Sequence, residues 1–129
     1  MQNMNWYDSL NKPFLNPPDW IFTPVWIILY IMIAFSFLLF LRGGITKEKQ
    51  LPLTFFIIQL ALNLTWPIVF FIMQNIILAF IVLIFMYLFL LLTMITFFKH
   101  SKLSTLLLIP YLFWISFAGY LNFSFLVLN

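Results

Sequence analysis

The side chains of this sequence best suited to meeting a ligand are indoles and carboxamides. Trp26 and Tyr30 are spaced i and i+4, so a helix puts them on one face. Gln59, Asn63, Trp66 and Phe70 fall at i, i+4, i+7 and i+11, a continuous helical stripe. Trp114, Ala118, Leu121 and Asn122 form a second stripe at i, i+4, i+7 and i+8. A carboxamide among apolar groups needs hydrogen-bond partners, so Gln59, Asn63 and Asn122 are expected to face inward. Each shares its stripe with a tryptophan. Indoles and a few amides turned inward make a mainly apolar cavity with hydrogen-bond handles, the general form of a small-molecule site. Flat indole faces suit a planar aromatic ligand. The same residues have a purely structural use: Asn and Gln tie helices together, and Trp anchors at membrane interfaces.

Acid–base chemistry has little to work with. The charged residues are Asp8, Lys12, Asp19, Arg42, Lys47, Glu48, Lys49, Lys99 and Lys102. None lies inside the apolar stretches between them, so no carboxylate pair or Ser/His/Asp set can be assembled there. A proton-coupled exporter of the small four-helix kind needs an intramembrane carboxylate, and this pattern excludes it. The single histidine, His100, sits between Lys99 and Ser101 and reads as a solvated loop residue rather than a haem ligand. With no cysteine in the chain, thiolate nucleophiles and cysteine-ligated metals are absent. No catalytic acid or base, no metal site and no obligatory cofactor is expected. A net charge of +3 gives no argument for nucleic acid.

The elements that position these residues follow from composition. Of 129 residues, 65% are hydrophobic and 7% charged, and the mean hydropathy is +1.12. A soluble domain carries about 25% charged residues, so lipid is the solvent here. Four long uncharged stretches predict transmembrane helices at about 20–41, 51–73, 76–98 and 103–128. Each spans roughly 30 Å of hydrocarbon or more. None alternates apolar with polar residues as a barrel wall must. The expectation is an all-α integral membrane bundle, a single domain over residues 1–129. Pro24 lies near the start of its helix, where a missing N–H costs little. Pro67 and Pro110 are expected to loosen or bend theirs. The third span, with Tyr87, Thr93 and Thr96 but no Trp, Asn or Gln before its end, reads as a lipid-facing or packing wall.

Basic residues predict the orientation. Loops 42–50 and 99–102 hold Arg42, Lys47, Lys49, Lys99 and Lys102, whereas the other side holds Lys12. The two loops are therefore expected to be cytoplasmic, with the N-terminal segment and the C-terminus outward. The first 19 residues lack a basic start followed by an apolar core, so no cleavable signal is expected. Trp6, Tyr7, Pro13, Pro17 and Pro18 suggest an ordered loop at the membrane interface.

Three segments in order resemble one family. Trp6-Tyr7, Lys12-Pro13 and the run from Pro17 to Trp26 with Tyr30 are similar to the pattern WY…KP…PPxWxFxPVWxxLY of the tryptophan-rich sensory protein and translocator protein family. The run from Gln59 to Pro67 resembles its QLALNxxW segment, and that from Pro110 to Ala118, with Leu121 and Asn122, resembles PYLxWxxFxxxLN. The resemblance implies a multi-pass cell-membrane protein, commonly dimeric, that binds porphyrins such as protoporphyrin IX and haem-related tetrapyrroles. It also implies binding of synthetic isoquinoline carboxamides, and of sterols in animal members. Carried over by motif, the pocket comprises Trp26, Tyr30, Asn63, Trp66, Trp114, Ala118 and Leu121. Trp26 and Trp114 are the candidates for redox participation, and Ala118 stands where a larger side chain perturbs ligand binding.

Departures from the pattern carry their own expectations. The family has five membrane helices, and this chain begins at the loop that follows the first; a truncated start or a partner that fills the gap would account for this. Phe123 replaces the Tyr of the animal sterol consensus and no basic residue follows it, so sterol recognition is not expected. Leu15 stands where many members carry Trp. The function expected from the resemblance is tetrapyrrole binding in sensing, transport or disposal. Light-dependent porphyrin degradation and a structural subunit without ligand are the alternatives.

Overall fold

The chain is described here by a computed structural model covering residue 10 and residues 19–129. The sequence expectations that fall on Trp6, Tyr7, Lys12, Pro13, Pro17 and Pro18 lie outside the described residues. Four helices long and apolar enough to cross a membrane dominate it, as the uncharged stretches require. They are α1 (Asp19–Phe40), α2 (Gln50–Pro67), α3 (Ile76–Phe98) and α4 (Lys102–Leu128). The described residues contain no strand. The protein is an all-helical, multi-pass membrane bundle.

Boundaries follow local chemistry. Gly43 and Gly44, at φ of 87° and 97°, carry the chain away from α1 through a conformation open to glycine. Asn75 starts α3 by accepting a hydrogen bond from the Leu78 N–H at 3.0 Å, and Ser101 starts α4 by accepting from the Ser104 N–H at 3.2 Å. The expected span 51–73 is not one uniform helix. Pro67 has no N–H to give, and α2 passes into a wider π-helical turn, Ile68–Ile72, closed by Met73 N–H donating to the Ile68 carbonyl at 2.9 Å. The wider turn brings Val69, Phe70 and Phe71 all into the interior. A regular helix turns successive residues by about 100°, which would have sent one of the three outward.

In space the helices run α1, α4, α3, α2, with α4 packed between α1 and α3 and α3 between α4 and α2. Consecutive α1 and α2 meet through side chains across the open side, by the stack of Phe37 on Phe56 and a Tyr30–Asn63 hydrogen bond. The α1–α4 crossing is fastened by Ser36 and Ser104, both fully buried. Ser36 Oγ donates to the Ser104 carbonyl at 2.7 Å, and Ser104 Oγ donates to the Ser36 carbonyl. Small side chains let the backbones close in, and in hydrocarbon each hydroxyl needs such a partner. At the same end Phe40 stacks on Phe97, with ring centroids 3.9 Å apart, and Phe97 stacks on Phe56.

Lys49 departs from its expected place among exposed loop charges. Its side chain is buried, and Nζ donates to the carbonyls of Phe40 at 2.6 Å, Arg42 at 3.1 Å and Gly44 at 3.2 Å. A cation here meets the negative end of the α1 dipole and the carbonyls that α1 leaves unpaired. Lys102, expected in the loop, is the first residue of α4 and lies over the Phe98 ring. His100 is exposed, edge-on to Phe40.

Candidate functional site

The indole and amide stripes converge. Between α1, α2, α3 and α4 lies an apolar cavity of about 330 Å³, within the range typical of small-ligand sites. All seven residues singled out from the sequence line it: Trp26 and Tyr30 from α1, Asn63 and Trp66 from α2, and Trp114, Ala118 and Leu121 from α4. Its inner end is at the level of Tyr30, Asn63 and Met86. From there it extends toward the bundle end where α1 begins and α4 finishes, past Thr23, Phe71 and Phe125. Thr23, Ile27 and Tyr30 are exposed along its α1 side.

Aromatic contacts shape the walls. The Trp26 ring meets Trp114 edge-on with centroids 6.1 Å apart, and Tyr30 lies 5.7 Å from Trp26. Trp66 stacks on Phe70 at 4.9 Å and meets Phe71 edge-on. Edge-on and offset pairs are the arrangements that ring quadrupoles favour.

Two hydrogen-bond clusters hold the polar side chains. In one, Trp66 Nε1 donates to Asn122 Oδ1 at 2.9 Å, and Asn122 Nδ2 donates to the Ile76 carbonyl at 3.2 Å. Asn122 therefore links α4 with α2 and with the start of α3. In the other, Tyr30 Oη donates to Asn63 Oδ1, Asn63 Nδ2 donates to Tyr111 Oη at 2.7 Å, and Tyr111 Oη donates to Gln59 Oε1 at 2.9 Å. Gln59, Tyr111 and Asn122 are almost completely buried, in keeping with the cost of leaving an amide in hydrocarbon. Gln59 Nε2 has no hydrogen-bond partner among the described residues.

The third span is more than a wall. Leu83 and Met86 of α3 line the cavity, and Met86 Sδ lies 3.7 Å from Tyr111 Oη. Neither residue is polar or aromatic, and their spacing of three is the helical signal the sequence holds for them. Phe71 was missed because only the π-helical turn brings it inward. Tyr111, within the Pro110–Ala118 run, is the hub of the second cluster. Its place seven residues before Ala118, on the same face, was the available signal. No group of His, Cys, Asp or Glu among the described residues could hold a metal ion.

Partly buried indoles, paired amides and a proline-broken α2 thus surround one cavity, and the TspO/MBR family profile matches residues 1–128. The chain belongs to the TspO/MBR family. A tryptophan-rich protein TspO of Chlorobaculum tepidum is 46% identical over 125 residues, covering 96% of this chain and 79% of its own length. The tryptophan-rich sensory protein of Cereibacter sphaeroides is 39% identical, covering 96% of this chain and 77% of its own. The translocator protein of Homo sapiens is 35% identical, with coverage of 95% and 73%. For a TspO/MBR protein the cavity between the tryptophan stripes is the natural candidate for ligand work, because it gathers the aromatic and amide side chains within the bundle.

Proposed function

We propose that this TspO/MBR protein binds porphyrins or related tetrapyrroles in the cavity between Trp26, Trp66 and Trp114. The observation that carries the reading is the convergence of three indoles and the Asn63 carboxamide on one apolar space of about 330 Å³. Burial of a flat macrocycle against indole faces supplies the affinity, at roughly 25 cal/mol per Å² of apolar surface removed from water. Polar side chains at the cavity ends supply orientation. Titration of the purified protein with protoporphyrin IX is expected to quench tryptophan fluorescence. Trp26→Phe combined with Trp114→Phe is expected to remove most of that quenching. Undiminished quenching in the double variant would exclude this site.

The reading includes a direction in the membrane. The excess of Lys and Arg in the α1–α2 and α3–α4 connections supports a cytoplasmic position for both. The end of the cavity near Thr23 and Phe125 then lies in the outer half of the bilayer. Because the chain has no cysteine, single introduced cysteines give a clean map. A membrane-impermeant maleimide added to intact cells is expected to label Asn129→Cys and to spare His100→Cys. The reverse pattern would invert the orientation.

A further inference from the structure

Asn63 is the carboxamide at the inner end of the cavity, and it is held by a hydrogen-bond chain that runs one way. A tyrosine hydroxyl has one proton to give. Tyr111 gives its proton to Gln59 Oε1 at 2.9 Å, so toward Asn63 it offers only a lone pair. Asn63 Nδ2 takes that lone pair at 2.7 Å and also lies 4.0 Å from Met86 Sδ. The amide is thereby turned with Oδ1 toward Tyr30, which spends its own proton on it. What this end of the cavity presents to a ligand is the remaining lone pairs of Asn63 Oδ1 and Tyr30 Oη. It presents acceptors.

We propose that Tyr111 and Gln59, neither of which lines the cavity, are positioning residues that fix this polarity and so select among ligands. The proposal rests on the porphyrin reading above. A carboxylate is itself acceptor-only, so it finds no donor at the Asn63 end and is repelled by the oxygens already there. A macrocycle whose acids all lie on one edge enters with its carbon-rich edge inward and its carboxylates toward the Thr23 end. A macrocycle with an acid on every pyrrole ring has no orientation that keeps the inner end free of carboxylate.

The chain can be released without touching the cavity lining. In Gln59→Leu the Tyr111 proton loses its oxygen acceptor, and, since Met86 Sδ at 3.7 Å is only a weak one, it turns to Asn63. The Asn63 amide then rotates to give Nδ2 to Tyr30, and the Tyr30 proton becomes free to face the ligand. In Tyr111→Phe, Nδ2 loses its acceptor and the amide is likewise free to turn a donor inward. Gln59→Leu also removes the buried Nε2 that has no partner among the described residues, so this variant is expected to fold at least as stably as the parent.

The test is fluorescence titration of the full chain with protoporphyrin IX, which has two carboxylates on one edge, and with coproporphyrin, which has four distributed around the ring. The parent is expected to bind protoporphyrin at least about tenfold more tightly, the scale of one unpaired buried polar group. Both variants are expected to bring that ratio to about threefold or less, with retained thermal unfolding confirming that they fold. Equal affinities in the parent, or a ratio unmoved in folded Gln59→Leu, would overturn the proposal while leaving porphyrin binding intact. Quenching of the parent by neither porphyrin would defeat the binding reading, and this inference with it.

Discussion

Ala118→Phe is expected to abolish porphyrin binding while leaving the bundle folded. Ala118 lies one helical turn beyond Trp114 and one before Asn122 on the α4 face that lines the cavity. Its small side chain leaves open the space between the two indole stripes. A phenyl ring at this position projects into a volume of about 330 Å³ and occupies the slot that a planar ligand would need. The expected loss of protoporphyrin affinity is about 100-fold or more, which corresponds to roughly 2.7 kcal/mol. Stability is expected to hold or rise, because the added ring fills apolar space instead of overpacking a closed core. The neighbouring Gly119→Ala supplies the control. Gly119 is not among the residues that line the cavity, and an added Cβ there would sit 3.6 Å from a Leu83 methyl, an ordinary contact. That variant is expected to retain binding. Quenching by protoporphyrin that survives Ala118→Phe would place the ligand elsewhere.

The sequence exposed this site as far as regular helix geometry reaches. Gln59, Asn63, Trp66 and Phe70 lie within a narrow arc of a helical wheel, so their common inward direction could be read from spacing alone. Trp114, Ala118, Leu121 and Asn122 obey the same rule. What spacing could not supply was the change of period after Pro67. The residue that breaks the ladder was visible, but whether the backbone kinks, stops or widens there depends on which carbonyls find partners. The widened turn puts Phe71 beside Phe70 in the interior. Helix order in space was also out of reach, since charge and hydropathy place spans in a membrane without saying which neighbours touch. The α1–α4 contact depends on Ser36 and Ser104, which are 68 positions apart.

The same limit explains Tyr111 and Lys49. Tyr111 in an apolar run looks like another aromatic core residue. Its role emerges only when α2 and α4 bring Asn63 and Gln59 to either side of its hydroxyl. Lys49 looked like one of several loop charges that set orientation. Its fourth neighbour on either side says nothing of the carbonyls it reaches at the end of α1 and in the turn after it, 5 to 9 positions earlier. Polar residues in a lipid-facing protein are informative because they must be satisfied, yet the identity of the partner is a property of the tertiary fold.

Lys49→Met carries the largest expected effect on stability. At the end of α1 the last carbonyls have no helical donors, and Lys49 Nζ serves that of Phe40 together with those of Arg42 and Gly44 in the turn that follows. The ammonium is nearly excluded from solvent, with 8% of the residue exposed, and it also sits over the Phe40 ring at 5.1 Å. Charge-assisted hydrogen bonds are each worth about 1.5–3 kcal/mol, part of which is offset by taking the cation out of water. A net loss of about 2–3 kcal/mol is therefore expected for methionine, which keeps the stem and removes the donors. Arginine offers donors in a planar fork that cannot converge on three carbonyls as a compact ammonium does, so Lys49→Arg is expected to recover only part of the loss. Lys47→Met, at an exposed residue of the same connection, is expected to change little. Thermal unfolding of the three variants in one detergent decides the matter. If Lys49→Met unfolded with the parent, α1 would not depend on this cation for its end. The Phe40–Phe97 and Ser36–Ser104 contacts nearby would then suffice to hold this end of α1.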